Sequence, residues 1–237
     1  MNLLAQKINQ LNWPAIAQQL HQNGYALVPN ILDNSQCEQL ITQYANPSLY
    51  RKIVNMQRYR FGLGEYKYFD YPLPDTIKTL RQSIYPHLAP IANQWMKQLN
   101  INGKFPDEHR HLIKQCNQAG QLRPTPLILE YAKGGFNTLH QDLYGEVYFP
   151  LQCAFLLNQV GQDYTGGEFV LTEQVPRAQS KAVVLQPNSG DMLIFTTNFR
   201  PVKSQHGHYR ANMRHGVSQV HTGNRYTLGV IFHDAIS

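Results

Sequence analysis

Hydrophobic positions recur at helical spacing in the first 120 residues and in short clustered runs thereafter. Leu4, Ile8, Leu11, Ile16 and Leu20 fall near every third or fourth place, and Gly24 follows as a stop. The apolar run Tyr25 to Val28 predicts a strand. Asp33, Asn34 and Ser35 offer caps for a helix through Cys37, Leu40, Ile41 and Tyr44. Asp75 starts a longer helix carrying Ile77, Leu80, Ile84, Leu88, Ile91 and Trp95, which Pro86 and Pro90 bend or interrupt. A further helix is expected over 107–119, stopped by Gly120.

From residue 121 the period shortens. Runs rich in Val, Ile, Leu, Phe and Thr occupy 124–131, 147–158, 168–172, 182–186, 192–196, 213–220 and 226–232, punctuated by Gly, Pro and Asn. Many short, evenly spaced strands predict a sandwich or barrel. The expected fold is mostly β with helical support: a double-stranded β-helix (jelly roll) over 121–237, packed on a helix-rich region over 1–120. The two are read as a single domain, 1–237.

Composition narrows the function classes. Cys37, Cys116 and Cys153 are odd in number and far apart, which argues against a disulfide framework and fits a reducing cytoplasm. There is no apolar stretch of membrane-spanning length and no secretory signal pattern at the N-terminus. A formal charge of +6 is compatible with nucleic acid or acidic partners and equally with solubility alone.

One constellation carries chemistry. His140 and Asp142 sit two apart, His215 lies 73 residues past Asp142 (215 − 142), and Arg225 follows ten residues later (225 − 215). Two imidazoles and a carboxylate on one face of an octahedral metal leave three positions open, the ligand set of non-haem Fe(II) oxygenases. An arginine beyond the distal histidine supplies a rigid fork for a carboxylate. His140 and Asp142 are expected as neighbours on one face of an extended segment, in a turn-bounded site that follows Gly134-Gly135. His206, His208, His221 and His233 compete for the distal role. His215 is preferred because it opens a strand whose return, after Gly223-Asn224, begins at Arg225; an antiparallel ladder between the two brings Arg225 near the metal. Thr227 shares a strand face with Arg225 and offers a hydroxyl.

These residues resemble a 2-oxoglutarate/Fe(II)-dependent dioxygenase. Thr165-Gly166-Gly167-Glu168-Phe169 resembles the Gly-Gly-Glu turn of prolyl-hydroxylase-like members, and residues 187–195 resemble their Pro-x-x-Gly-Asp turn and apolar strand. Arg225-Tyr226-Thr227 resembles the start of their last core strand. A narrower likeness, through residues 139–146, 214–218 and 231–235, is to a bacterial oxygenase family predicted to demethylate damaged DNA bases oxidatively. The resemblance implies Fe(II), with 2-oxoglutarate and dioxygen as co-substrates. It implies hydroxylation of a substrate C–H bond coupled to release of succinate and carbon dioxide. Tyr131 resembles a tyrosine lining the co-substrate cleft in relatives, and Gln152 faces inward with Ala154 and Leu156. Prolyl-hydroxylase-like enzymes place a tyrosine near position 156, where this chain has leucine, so the remaining co-substrate contacts stay open.

Three further segments mix bases with aromatics or histidines. Residues 58–69, Arg-Tyr-Arg-Phe-Gly-Leu-Gly-Glu-Tyr-Lys-Tyr-Phe, suit either a hairpin that stacks a base or peptide, or one whose aromatics cover the helical layer; the second is preferred. His109, Arg110 and His111 read as a solvated helix face. Arg200, Lys203, His206, His208, Arg210 and Arg214 form a basic stretch expected to border the active-site mouth. Within the enzyme class, demethylation of a modified nucleobase competes with peptide or small-molecule hydroxylation. Outside it stands a non-catalytic, cupin-like metal-binding protein. The organic substrate and the oligomeric state are left open.

Overall fold

The computed structural model describes residues 2–143 and 145–237. The helices are α1 (Leu3–Asn9), α2 (Trp13–Asn23), α3 (Asn34–Gln43), α4 (Asp75–Gln98) and α5 (His109–Gln118). The strands begin with β1 (Tyr25–Val28), β2 (Tyr50–Asn55), β3 (Gly62–Leu63), β4 (Glu65–Phe69), β5 (Leu127–Tyr131), β6 (Phe136–His140) and β7 (Leu151–Leu156). They continue with β8 (Tyr164–Gly166), β9 (Phe169–Gln174), β10 (Lys181–Leu185), β11 (Met192–Thr196), β12 (Phe199–Ser204), β13 (Gly207–Val217), β14 (Val220–Gly223) and β15 (Arg225–Val230). A larger antiparallel sheet has the order β1-β11-β7-β15-β5-β4-β2, a smaller one β10-β9-β13-β6-β3 with β12 on β13, and β8 pairs β14. This is the mostly β, helix-supported jelly roll expected from the sequence. The first 120 residues are less purely helical than expected, because β1, β2 and β4 extend the larger sheet and β3 the smaller.

Strand alternation sorts the larger sheet into two faces. Leu151, Cys153 and Phe155 of β7, Met192 and Ile194 of β11, and Leu228 and Val230 of β15 pack with the helices in one core. Ala154, Leu193 and Phe195 turn the other way and meet Phe169, Leu171 and Met213 of the smaller sheet. Every residue of β7 is buried, and its sequence is apolar at every position but Gln152.

The helical layer centres on α4, whose Ile77, Leu80, Ile84, Tyr85, Leu88, Ala92 and Trp95 are all fully buried. It runs through both Pro86 and Pro90 without a break. The first predicted helix is instead two. Asn12 caps Ala15 N–H and Pro14 sits in the first turn of α2; a continuous helix would set the Pro14 ring against the carbonyl of residue 10. Gly24 ends α2 in the left-handed conformation, with φ +77°, and a Cβ there would stand 2.7 Å from Arg200 Cδ. Asp33 and Gln36 close a capping box on α3.

Two histidines lie in this core. His109 is buried, its Nε2 2.8 Å from the Phe232 carbonyl oxygen, so the expected solvated face of α5 excludes it. His233 is fully buried and its Nδ1 accepts the Phe149 N–H at 3.1 Å, which requires an unprotonated nitrogen. Burial, with Arg81 adding to it, lowers both from 6.5 to about 3. As pH falls below about 6.5 the unfolded chain gains protons that the folded chain refuses. Stability is therefore full above that value and is lost progressively towards pH 3. At pH 5 the loss is on the order of 2 kcal/mol for each histidine. Urea unfolding at pH 7.5 and pH 5 measures it directly; equal midpoints would contradict the assignment.

Candidate metal and co-substrate site

His140 is the last residue of β6 and lies directly across the ladder from His215 of β13. Facing positions point the same way, so the two rings stand side by side, with centroids 4.2 Å apart. Asp142, two residues on, returns to the same side. Its Oδ1 is 3.5 Å from His140 Nε2 and its Oδ2 is 3.2 Å from His215 Nε2. One donor atom from each of the three lies within 4.8 Å of the others, the convergence a single ion requires.

The surroundings prepare the donors. His140 Nδ1 donates to the Thr138 carbonyl at 2.8 Å, which leaves the lone pair on Nε2, facing the other donors. Burial pushes the His140 pKa down and His215 pushes it further, so the ring is neutral. Burial alone would raise Asp142, but His215, His140 and the Gln152 amide outweigh it and hold the carboxyl well below the usual carboxylate range. His215 is held by rings: Phe169 stacks nearly parallel at 5.9 Å and Phe195 meets it edge-on at 4.8 Å. Gln141, between the ligands, donates to the Asn198 and Met213 carbonyls at 2.8 Å each, clamping the segment to the start of β13's ligand-bearing end.

Arg225 and Thr227 line the same cavity, of about 280 Å³, as do Tyr131, Gln152 and the three ligands. Arg225 is 1% exposed and Nη1 donates to Thr227 Oγ1 at 2.6 Å, while Nε is buried without a partner. The Tyr131 ring lies 5.7 Å from the guanidinium carbon. Among the described residues two other arginines are comparably buried, and both are paired: Arg81 with Asp234 at 2.6 Å, and Arg200 with Glu173 at 2.8 Å. Among the described residues no carboxylate stands within ion-pair distance of Arg225. Gly167 makes room for it, since a Cβ there would lie 2.8 Å from Arg225 Cδ, and its φ of +64° suits glycine.

The route by which Arg225 arrives differs from the sequence reading. His215 stands near the end of β13, not at the start, and β13 does not pair β15. The two strands belong to opposite sheets, with β15 between β5 and β7. Arg225 faces the metal ligands across the barrel interior, not along a ladder. His140 ends β6, in keeping with the extended segment expected there. Gln152, expected to contact the co-substrate, gives its amide to Asp142 Oδ2 at 2.7 Å and so positions a ligand. Of the competing histidines, His233 is buried in the helical core and His206 and His208 lie on the exposed β12–β13 hairpin. None of the basic stretch 200–214 lines the cavity. Tyr144, part of the quoted likeness, lies outside the described residues. Tyr66 and Tyr68 line the cavity instead of covering helices, joined by Phe61, Leu127 and Leu129. Their alternate placing in β4 was the available signal.

A family model described as "Oxygenase, catalysing oxidative methylation of damaged DNA" matches residues 64–235. This chain belongs to that family, Oxygenase-NA. The chain is also similar to an uncharacterized protein of Mycobacterium tuberculosis, 46% identical over 167 residues, 70% of this chain and 72% of that one. Among solved structures, a prolyl-4-hydroxylase of Pseudomonas putida is 14% identical with a TM-score of 0.54, over 94% of this chain and 98% of that one. An oxidoreductase of the 2OG-Fe(II) oxygenase family from Burkholderia pseudomallei is 16% identical with a TM-score of 0.53, over 96% and 94%. The chain is therefore an oxygenase on the fold of 2-oxoglutarate/Fe(II) enzymes. Its donors fit the Fe(II) of that class, and no helix among the described residues is long and apolar enough to cross a membrane.

Proposed function

We propose that the protein is an Fe(II)- and 2-oxoglutarate-dependent dioxygenase that hydroxylates a substrate C–H bond, with an N-methylated nucleobase as substrate. The observation that carries the reading is the pairing of a convergent His140–Asp142–His215 set with a buried Arg225 that, among the described residues, has no carboxylate within ion-pair distance, in one cavity. His140, Asp142 and His215 hold the metal on one face. Arg225 and Thr227 receive the distal carboxylate of 2-oxoglutarate, and Tyr131 packs beside them. When bound, the iron with its co-substrates supplies an oxidant strong enough to break a C–H bond.

The protein's own work is ligation, orientation and exclusion of water. Gln152 and Gln141 fix Asp142 and its strand, Thr138 sets the His140 tautomer, and Phe169 and Phe195 hold His215. The apolar wall of Leu127, Leu129 and Phe195 keeps the site dry. Hydroxylation of an N-methyl carbon releases formaldehyde, so the reaction on a methylated base is methyl removal. The family's description and the aromatic lining by Phe61, Tyr66 and Tyr68 support a flat substrate over a peptide. Anaerobic addition of 2-oxoglutarate to the Fe(II) protein is expected to produce a visible charge-transfer band. Air is then expected to give slow succinate release without substrate. A protein that holds iron yet neither develops the band nor releases succinate is a metal-binding module, and the reading fails.

A further inference from the structure

Beside the cavity mouth, Tyr59 and Phe61 stack at 5.5 Å with planes 18° apart. Both are exposed, Tyr59 56% and Phe61 45%, and Phe61 also lines the cavity. Between them Arg60 takes the left-handed conformation, with φ 60°, which is uncommon for a residue with a Cβ. Arg58, just before Tyr59, and Arg60 are both exposed. Neither guanidinium forms an ion pair or side-chain hydrogen bond among the described residues.

This aromatic pair is tied to the metal site. The Phe61 carbonyl accepts from Thr138 N–H at 2.9 Å and from Thr138 Oγ1 at 2.8 Å. The Thr138 carbonyl in turn accepts from His140 Nδ1 at 2.8 Å. Two hydrogen-bond steps thus join the exposed ring to a metal ligand. Gly62 permits the close approach, since a Cβ there would lie 2.2 Å from the Phe136 carbonyl oxygen.

We propose that Tyr59 and Phe61 are a base-stacking platform, with Arg58 and Arg60 as phosphate contacts, and that the substrate is presented as a single-stranded polynucleotide. The inference rests on the nucleobase reading above. Aromatic faces accept any base, and arginines interleaved with them match a chain of phosphates, which a peptide lacks. Asp142 and His215 are only 7% and 6% exposed at the cavity floor, out of reach of a base still stacked in a duplex.

The test is fluorescence anisotropy with the full chain, Fe(II) and 2-oxoglutarate under nitrogen. The probes are labelled twelve-nucleotide oligothymidylate and oligouridylate, which separate DNA from RNA as the source, and a duplex of equal length. Either single strand is expected to bind at least about tenfold tighter than the duplex. Tyr59→Ala and Phe61→Ala are each expected to weaken it roughly 5- to 150-fold, while Tyr59→Phe keeps the affinity. Arg58→Ala is expected to reduce the slope of log affinity against log salt by about 0.7. Equal or tighter duplex binding, or Tyr59→Ala within twofold of the parent, overturns the platform. So does binding of a proline-rich peptide with neither strand bound. The iron–2-oxoglutarate band in the same samples separates the two layers. Its absence from the parent protein sinks the dioxygenase reading, whereas its presence with unaltered affinities in the variants sinks the platform alone.

Discussion

The Asp142→Ala protein is expected to fold, to bind no measurable Fe(II), and to release succinate no faster than buffer containing iron. Asp142 is the one anion of the set, and its carboxylate stands between two imidazole Nε2 atoms at 3.5 and 3.2 Å. Without it the two rings, 4.2 Å apart, must hold a doubly charged ion with neutral donors alone. Losing an outer partner of a metal ligand commonly costs 10- to 100-fold in affinity, so losing the charged ligand itself is expected to exceed about 100-fold. Gln152→Leu supplies the calibration. It removes the 2.7 Å hydrogen bond to Oδ2 but keeps the carboxylate, and is expected to weaken iron by roughly 10- to 100-fold without abolishing turnover. Isothermal titration with Fe(II) under nitrogen, with far-ultraviolet circular dichroism to verify folding, measures both. Iron affinity in Asp142→Ala within tenfold of the parent would remove the three donors from the metal role.

The convergence of His140, Asp142 and His215 was legible because it depends on local chemistry that sequence preserves. Two donors two residues apart share a strand face, and the apolar run near 213–220 marks the strand that carries the third. The path of Arg225 was not legible, because the turn at Gly223-Asn224 suggests a hairpin between neighbouring strands. Instead β14 leaves to pair β8, and β15 crosses to the other sheet between β5 and β7. Sequence spacing cannot distinguish a ladder neighbour from a residue facing across a barrel, since both bring side chains together. The β12–β13 hairpin was hidden for another reason. Its turn end is exposed and basic, and Pro201 is tolerated in β12 because that edge strand pairs only with β13 among the described residues. Tyr66 and Tyr68 faced the opposite way from expectation: their strand belongs to the larger sheet, whose inner face is the cavity and whose outer face meets the helices.

Arg225→Met is expected to bring two opposite changes in stability. Arg225 is 1% exposed, hydrogen-bonds Thr227 and Tyr164 and, among the described residues, has no carboxylate within ion-pair distance. An uncompensated buried charge is costly, and apolar replacement of buried ionic groups is often stabilising. The ligand-free variant is therefore expected to be more stable than the parent by about 1 kcal/mol or more. The parent, in contrast, gains stability from 2-oxoglutarate in proportion to the logarithm of its concentration over Kd. The variant should gain little. Removing one partner of a buried charge pair costs about 2–5 kcal/mol, which is roughly 30- to 5000-fold in Kd. Iron binding should remain, because the guanidinium touches none of the three ligands. Thermal melts of parent and variant, each with and without 2-oxoglutarate in the presence of Fe(II), place all four states on one scale. A surface arginine would leave the ligand-free melt unchanged. A purely structural one would lower it. Only an arginine whose counter-ion is the co-substrate makes the empty protein stronger when removed and the loaded protein weaker, and a variant that still gains the parent's full stabilisation from 2-oxoglutarate would end that assignment.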